Sequence, residues 1–127
     1  MELIAIVGAL ALIEYMILSY LVGRARAKYS VSAPATVGHP IFERRYRVQM
    51  NTLEQLVVFI PGLFLFGRYV SAPMGAVLGG IYILGRVVYA VSYELDPAKR
   101  AAGFILSYVP TVVLIVGGLI GAAAAWF

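Results

Sequence analysis

Four apolar stretches of the chain are each long enough to cross a bilayer as a helix. A membrane-spanning helix needs about 20 mostly apolar residues. The first stretch is interrupted only by Glu14, and the third contains Arg86. The pattern predicts helices over residues 3–24, 44–68, 73–95 and 97–126. We therefore predict an all-α membrane protein, a four-transmembrane-helix bundle that forms one domain over residues 1–127.

Positively charged residues are concentrated in two of the three connections between these helices. The first and third connections carry eight Lys and Arg residues, whereas the second carries only Arg68. Because Lys and Arg are enriched in cytoplasmic loops, we expect these two connections in the cytoplasm and both termini on the opposite side. The first helix is not predicted to be a cleaved signal peptide, because it carries an acid at Glu2 and is long enough to span.

Composition excludes most soluble classes of protein. The 127 residues are 62% hydrophobic and 13% charged, and they include no cysteine. Soluble domains carry about 25% charged residues. The formal charge of +4 does not indicate nucleic-acid binding, because no exposed basic surface remains outside the spans. A single histidine, His39, predicts no metal site, and no constellation typical of a hydrolase is present.

The second predicted helix carries a polar stripe at its cytoplasmic end. Arg47, Asn51 and Glu54 are spaced i, i+4 and i+7, so they share one face, while Gln49 lies off that face. One interpretation is a ladder of polar side chains that satisfy one another at the membrane interface. The mixture of a guanidinium, amides and an acid favours a second interpretation, a site for an extended zwitterionic ligand.

A second stripe and an isolated arginine lie at the same level of the bundle. Arg86, Tyr89 and Tyr93 are spaced i, i+3 and i+7 on the third helix. Asp96 fits the cap of the fourth helix, which places Arg100 in its first turn, where the helix dipole disfavours a cation. Arg100 either reaches lipid phosphate or faces a bound anion. Together the stripes predict one polar pocket for a small anionic ligand from the cytosol.

These residues resemble the MAPEG superfamily (membrane-associated proteins in eicosanoid and glutathione metabolism). The most specific match is the pattern Phe-Glu-Arg-x-Tyr-Arg-x-Gln-x-Asn-x-x-Glu at Phe42–Glu54. The similarity covers essentially the whole chain and is greatest to microsomal glutathione transferases and cysteinyl-leukotriene synthases. The other matching segments are Val22–Pro34, Gly38–Asn51, Gly85–Tyr89, Tyr93, Lys99–Arg100 and Gly103–Phe104.

The resemblance implies a homotrimer of four-helix subunits that binds glutathione between adjacent subunits near the cytosolic face. It implies a transferase or peroxidase, with Arg100 beside the glutathione sulfur, where it favours the thiolate. A lipophilic electrophile or hydroperoxide would arrive from the lipid, and no metal is involved. The glutathione-binding residues implied by matching positions are Arg26, Arg47, Gln49, Asn51, Glu54, Arg86, Tyr89 and Tyr93.

Two positions depart from the family pattern. Gln55 replaces a frequent tyrosine, which alters one expected glutathione contact, and Ala27 replaces an arginine of leukotriene-forming members. The second departure favours general transferase or peroxidase activity over leukotriene chemistry. A non-catalytic scaffold is an alternative within the superfamily, but the scaffold branch tends to lose the arginine found here as Arg47.

A small proton-coupled multidrug transporter is the alternative from another class. Such a transporter has about four short spans and one buried acid in its first helix, a role that Glu14 fits. Three arginines, Arg47, Arg86 and Arg100, would repel a cationic drug, so the enzyme interpretation is favoured. We expect the protein in a bacterial inner membrane, with its site on the cytoplasmic side.

Overall fold

The computed structural model describes all 127 residues and contains four long helices. They are α1 (Glu2–Tyr29), α2 (Pro40–Tyr69), α3 (Ala72–Leu95) and α4 (Ala101–Trp126), with one turn of 3₁₀ helix at Pro97–Lys99 before α4. All four are long and apolar enough to cross a membrane. The predicted all-α bundle of four transmembrane helices is confirmed.

The first two helices extend further into the polar connection than the predicted bounds. α1 continues to Tyr29, where Ser30 ends it in the left-handed conformation. α2 starts at Pro40, because the His39 Nδ1 atom accepts a hydrogen bond from the Ile41 backbone N–H at 3.1 Å and proline suits the first helical turn. Hydropathy misses these turns because they are helical but polar. Consequently Arg26 stands on a helix rather than in a loop.

The middle helices hold the bundle together. α2 and α3 each contact all three other helices, whereas α1 packs on α2 and α3 and leaves its outer face open. The Phe59 and Tyr82 rings stack at 3.7 Å in the centre of the main apolar cluster. Large apolar side chains remain exposed along the outer faces of the helices, as is expected of a surface that meets lipid.

α3 and α4 approach each other more closely than side chains would allow. A Cβ atom on Gly103 would collide with the Tyr89 backbone, and one on Gly85 would lie 2.8 Å from the Ser107 backbone nitrogen. Both contacts are backbone against backbone, so no flexible side chain can yield. This approach sets the distance between α4 and the polar residues of α3.

We expect Gly103→Ala to destabilise the protein by about 1–3 kcal/mol, because the added methyl group must push α3 and α4 apart. Gly80→Ala is the matched control, since a Cβ atom there meets nothing within 4 Å. The free energy of unfolding of that control should rise by roughly 0.5–1 kcal/mol, since alanine is preferred over glycine in a helix. Thermal unfolding in detergent, followed by circular dichroism, measures both. Equal behaviour of the two variants would contradict the proposed close approach.

Candidate functional site

One end of the bundle collects most of the positive charge. Eight of the ten Lys and Arg residues lie at the end where α1 meets α2 and where α3 meets α4. The Arg45 Nη2 atom pairs with Glu94 Oε1 at 2.8 Å, and Arg44 Nη1 donates to the Glu94 carbonyl oxygen at 2.8 Å. These contacts fasten the start of α2 to the end of α3.

A cavity of about 420 Å³ opens at this end, between α2, α3 and α4. Its volume lies within the range of about 300–1,000 Å³ that is typical of small-molecule sites. Two guanidinium groups and no carboxylate line it, so the cavity attracts anions. The lining residues are Arg47, Asn51, Tyr89, Tyr93, Arg100 and Phe104.

Arg47 and Glu54 form an ion pair at the edge of the cavity. The Arg47 Nη1 atom lies 3.3 Å from Glu54 Oε1, and both side chains are more than half exposed. An exposed pair of this kind contributes only about 0–1 kcal/mol. Either partner can therefore exchange its contact for a ligand at low cost.

Arg86 lies behind the cavity rather than in its wall. The side chain is 1% exposed, and its Nη1 atom donates to Asn51 Oδ1 at 2.7 Å and to Thr52 Oγ1 at 3.3 Å. Its Nε and Nη2 atoms both donate to Ser107 Oγ, at 3.1 and 2.7 Å. The guanidinium thus joins α2, α3 and α4, and it orients Asn51 toward the cavity.

Two tyrosines of α3 cover this buried cation. The Tyr89 ring lies 4.3 Å from the Arg86 guanidinium carbon, which is a cation–π distance. Tyr89 is itself 3% exposed and packs on Tyr93, with the ring centroids 5.5 Å apart. Burial of the side chains therefore decreases along the predicted stripe on α3, from the buried Arg86 to Tyr93, which lies toward the surface.

Arg100 directly precedes α4 as its N-cap residue, whereas the sequence predicts a helix from residue 97 with Arg100 inside its first turn. Asp96 Oδ1 accepts a hydrogen bond from the Ala98 backbone N–H at 3.0 Å, which caps the 3₁₀ turn, and Arg100 Nη1 donates to the Pro97 carbonyl oxygen at 3.2 Å. The side chain is exposed and lines the cavity. A cation beside the unpaired N–H groups of a helix start creates a positive site for an anion.

Two of the predicted glutathione-binding residues lie where α1 packs on α2, away from the cavity. Gln49 Nε2 donates to Ser19 Oγ on α1 at 3.0 Å. Arg26 Nη1 donates to the Ala35 carbonyl oxygen at 2.7 Å, and its guanidinium lies over the Phe42 ring. Within one chain, Arg26 and Gln49 are not among the residues that line the cavity.

Three residues of the site have no role in the sequence-based prediction. Phe104 lines the cavity, while Thr52 and Ser107 hold Arg86. Helical spacing was the available signal, since Phe104 and Ser107 follow Arg100 at i+4 and i+7 on the same face.

An apolar groove of about 400 Å³ runs along α2 and α4 toward the middle of the membrane. Glu54 and Gln55 form its polar end, and the rest of its lining is mostly apolar. Gln55 is one of the two departures from the family pattern. The other, Ala27, is exposed on α1.

Comparison with known proteins gives consistent matches along the chain. A family model described as the MAPEG family matches residues 4–120. An uncharacterized protein of Synechocystis is 48% identical over 91% of this chain and 85% of its own length. Human microsomal glutathione S-transferase 2 is 37% identical over 95% of this chain and 82% of its own. Leukotriene C4 synthase of Cavia porcellus is 35% identical over 79% and 67%, respectively.

We expect Ser107→Ala to cost about 1–3 kcal/mol of stability, because two donors of a buried guanidinium lose their acceptor. Thr111→Val is the matched control one turn further along α4. The Thr111 hydroxyl donates only to the Ser107 carbonyl oxygen of its own helix, so its loss should have a smaller effect. Thermal unfolding of both variants checks this, and equal losses would argue against the Arg86 network as a source of stability.

Proposed function

This chain belongs to the MAPEG family, and we propose that it is an integral-membrane enzyme that binds glutathione as its co-substrate and uses the glutathione thiolate. The thiolate attacks lipophilic electrophiles or reduces lipid hydroperoxides. Glutathione binds at the charged end of the bundle, with its reactive sulfur beside Arg100. The name of the human relative, microsomal glutathione S-transferase 2, supports glutathione as the co-substrate.

The observation that carries this proposal is the convergence of three helices on one cationic cavity. Arg47 of α2, Tyr93 of α3 and Arg100 of α4 line the same space. Glutathione has two carboxylates and one ammonium group, so it needs guanidinium donors and also an acid. Glu54, which contacts Arg47 at the cavity edge, is the acid available for the ammonium group.

Arg100 activates the bound thiol. A thiol reacts as its thiolate, and the reference pKa of a cysteine thiol is about 8.5. The Arg100 guanidinium at the start of α4 holds the pKa of the glutathione thiol below that range, and each unit of lowering is worth about 1.4 kcal/mol. In conjugation the thiolate sulfur bonds to the electrophilic carbon as the leaving group departs. In reduction a hydroperoxide becomes an alcohol and water while two glutathione molecules are oxidised to the disulfide.

The lipophilic co-substrate reaches this site from the bilayer. The apolar groove along α2 and α4 ends at Glu54, which pairs with Arg47 of the cavity wall. A molecule dissolved in lipid can therefore approach the sulfur without crossing water. Gln55 stands at the junction, where the family frequently has tyrosine, and it makes that junction less bulky.

Arg26 and Gln49 take part from a neighbouring copy of the chain. Both lie on the α1 side of α2, away from the cavity of their own chain. In a cyclic homotrimer the α1 side of one subunit can face the cavity of the next, which brings Arg26 and Gln49 to the residues that line it. Such a site requires assembly, because neither surface alone holds all of the donors.

The charged end faces the cytoplasm, and both termini face the other side. The eight basic residues at this end support that orientation, as does the single Arg68 near the opposite end. The relative from Synechocystis supports a bacterial inner membrane. Glutathione then reaches the site from the cytoplasm, and the lipophilic co-substrate reaches it from the bilayer.

We expect Arg47→Ala and Arg100→Ala to separate binding from activation. Arg47→Ala should raise the glutathione Kd about tenfold or more, equivalent to about 1.4 kcal/mol, by removing a carboxylate partner. Arg100→Ala should keep most of the affinity but lose the ultraviolet absorbance of bound thiolate and the turnover of a chloro-dinitrobenzene. Calorimetric titration and difference absorbance measure the two effects.

Arg68→Ala is the control for these variants, because Arg68 lies over the Tyr69 ring at the opposite end of the bundle. It should change neither affinity nor absorbance. Unaltered affinity in Arg47→Ala would contradict the assigned binding role. Unchanged absorbance and turnover in Arg100→Ala would remove the basis for its role in activation.

The shared site predicts complementation between two variants that bind glutathione weakly. When Arg26→Ala and Arg47→Ala chains are co-expressed in equal amounts, about one quarter of the sites in a cyclic trimer receive both wild-type residues. At a glutathione concentration well below the Kd of either variant, turnover should therefore rise to about a quarter of the wild-type value, clearly above the turnover of each variant alone. No recovery in trimers verified to be mixed would place both residues in one subunit.

A further inference from the structure

Three buried side-chain polar atoms of this chain lack a hydrogen-bond partner, and they belong to two residues. They are both carboxylate oxygens of Glu14 on α1 and the hydroxyl oxygen of Tyr82 on α3. A buried polar group without a partner costs free energy, and in native proteins such a group is rare enough to require a physical reason. None of the three atoms belongs to the cavity described above.

The packing of α1 on α3 places Glu14 at the level of Arg86. These helices run in the same direction, and their contacts keep a nearly constant offset. A Cβ atom on Gly75 would meet Ile4, one on Gly79 would meet Val7, and Leu18 shares an apolar cluster with Tyr89. These pairs differ by 71 or 72 residues, so Glu14 is level with the turn that carries Arg86.

Glu14 and Arg86 carry opposite charges, and neither has an oppositely charged partner elsewhere in the chain. Arg86 is a buried cation whose hydrogen-bond acceptors are all neutral. Each of the other five acids already has a polar partner, and Glu14 has none. Those partnered acids are Glu2, Glu43, Glu54, Glu94 and Asp96.

Electrostatic attraction between Glu14 and Arg86 follows from this common level. Opposite charges on adjacent helices attract each other strongly where little water screens them. A buried guanidinium needs a compensating charge, because desolvation is costly when nothing offsets it. In a membrane interior that charge must come from the protein, since solvent ions are excluded.

We propose that Glu14 is the counter-ion of Arg86 and, through it, a positioning residue for the cavity. The negative charge of Glu14 lies across the α1–α3 contact, and it holds the guanidinium back in the interior. Arg86 can then keep Asn51 and Tyr89 in place at the cavity wall. Without that charge, the guanidinium can leave this position, and Asn51 and Tyr89 are then no longer held at the cavity wall. The positioning role rests on the proposed glutathione function, whereas the counter-ion role does not.

A double-mutant cycle on thermal stability tests the counter-ion role without any ligand. The variants of the full-length protein are Glu14→Gln, Arg86→Gln and the double change. Glu14→Gln leaves an uncompensated buried cation, so its midpoint of thermal unfolding should fall by several degrees. The double variant should lose clearly less than the sum of both single losses, because removing both charges relieves the imbalance. Strictly additive losses would overturn the counter-ion role.

Glu2→Gln is the matched control for the chemical change, because Glu2 is a 96% exposed carboxylate on the same helix. It should leave the midpoint unchanged. Should Glu14→Gln fail to fold on its own, the double variant decides the question. A folded double variant then supports the pairing, and an unfolded one overturns it.

Glutathione titration tests the positioning role. Glu14→Gln should raise the Kd about tenfold, a typical coupling between members of one polar network, and Glu14→Asp should restore most of the affinity because it keeps the charge. Wild-type affinity in Glu14→Gln would overturn the positioning role. If the wild-type chain itself fails to bind glutathione, the proposed function and the positioning role both fail, while the thermal cycle still decides the counter-ion role.

Discussion

A buried guanidinium at the centre of the bundle fixes the geometry of everything around the cavity. Arg86 is almost fully enclosed, and its donors reach Asn51 and Thr52 on α2 and Ser107 on α4. A charge in a bilayer interior is tolerated only when its donors are satisfied, so these helices must keep their mutual positions. Rigid alignment of three helices is what a site assembled from all three requires.

The polar groups change from fixed to exchangeable toward the membrane surface. Arg86 and Tyr89 are locked by burial, whereas Arg47 and Arg100 are exposed and make contacts that contribute little. A ligand that replaces those weak contacts loses little by doing so. The buried residues are thus rigid before a ligand binds, while the exposed arginines at the surface can rearrange around an anion. Binding therefore loses less conformational entropy.

α2 separates two sets of polar residues because of its helical period. Residues 47, 51 and 54 fall on the side of α3 and α4, while Gln49, about half a turn away, faces α1. One chain therefore presents a cavity on one side and donors on another. This arrangement is physically consistent with the proposed site shared between copies.

The chemistry of the amino-acid sequence alone determined the number and type of the helices, because about 20 apolar residues have no other stable form in a bilayer. It also predicted which residues share a face, since spacing of i, i+4 and i+7 does so in any helix. It could not predict how deeply each of these residues is buried. Arg86 shares the stripe of Tyr89 but lies behind the cavity, and only the close contact of α3 with α4 at Gly85 and Gly103 decides this. The polar turns at the ends of α1 and α2, and the level of Glu14 relative to Arg86, also depend on tertiary packing, because spacing along one helix contains no information about its neighbours.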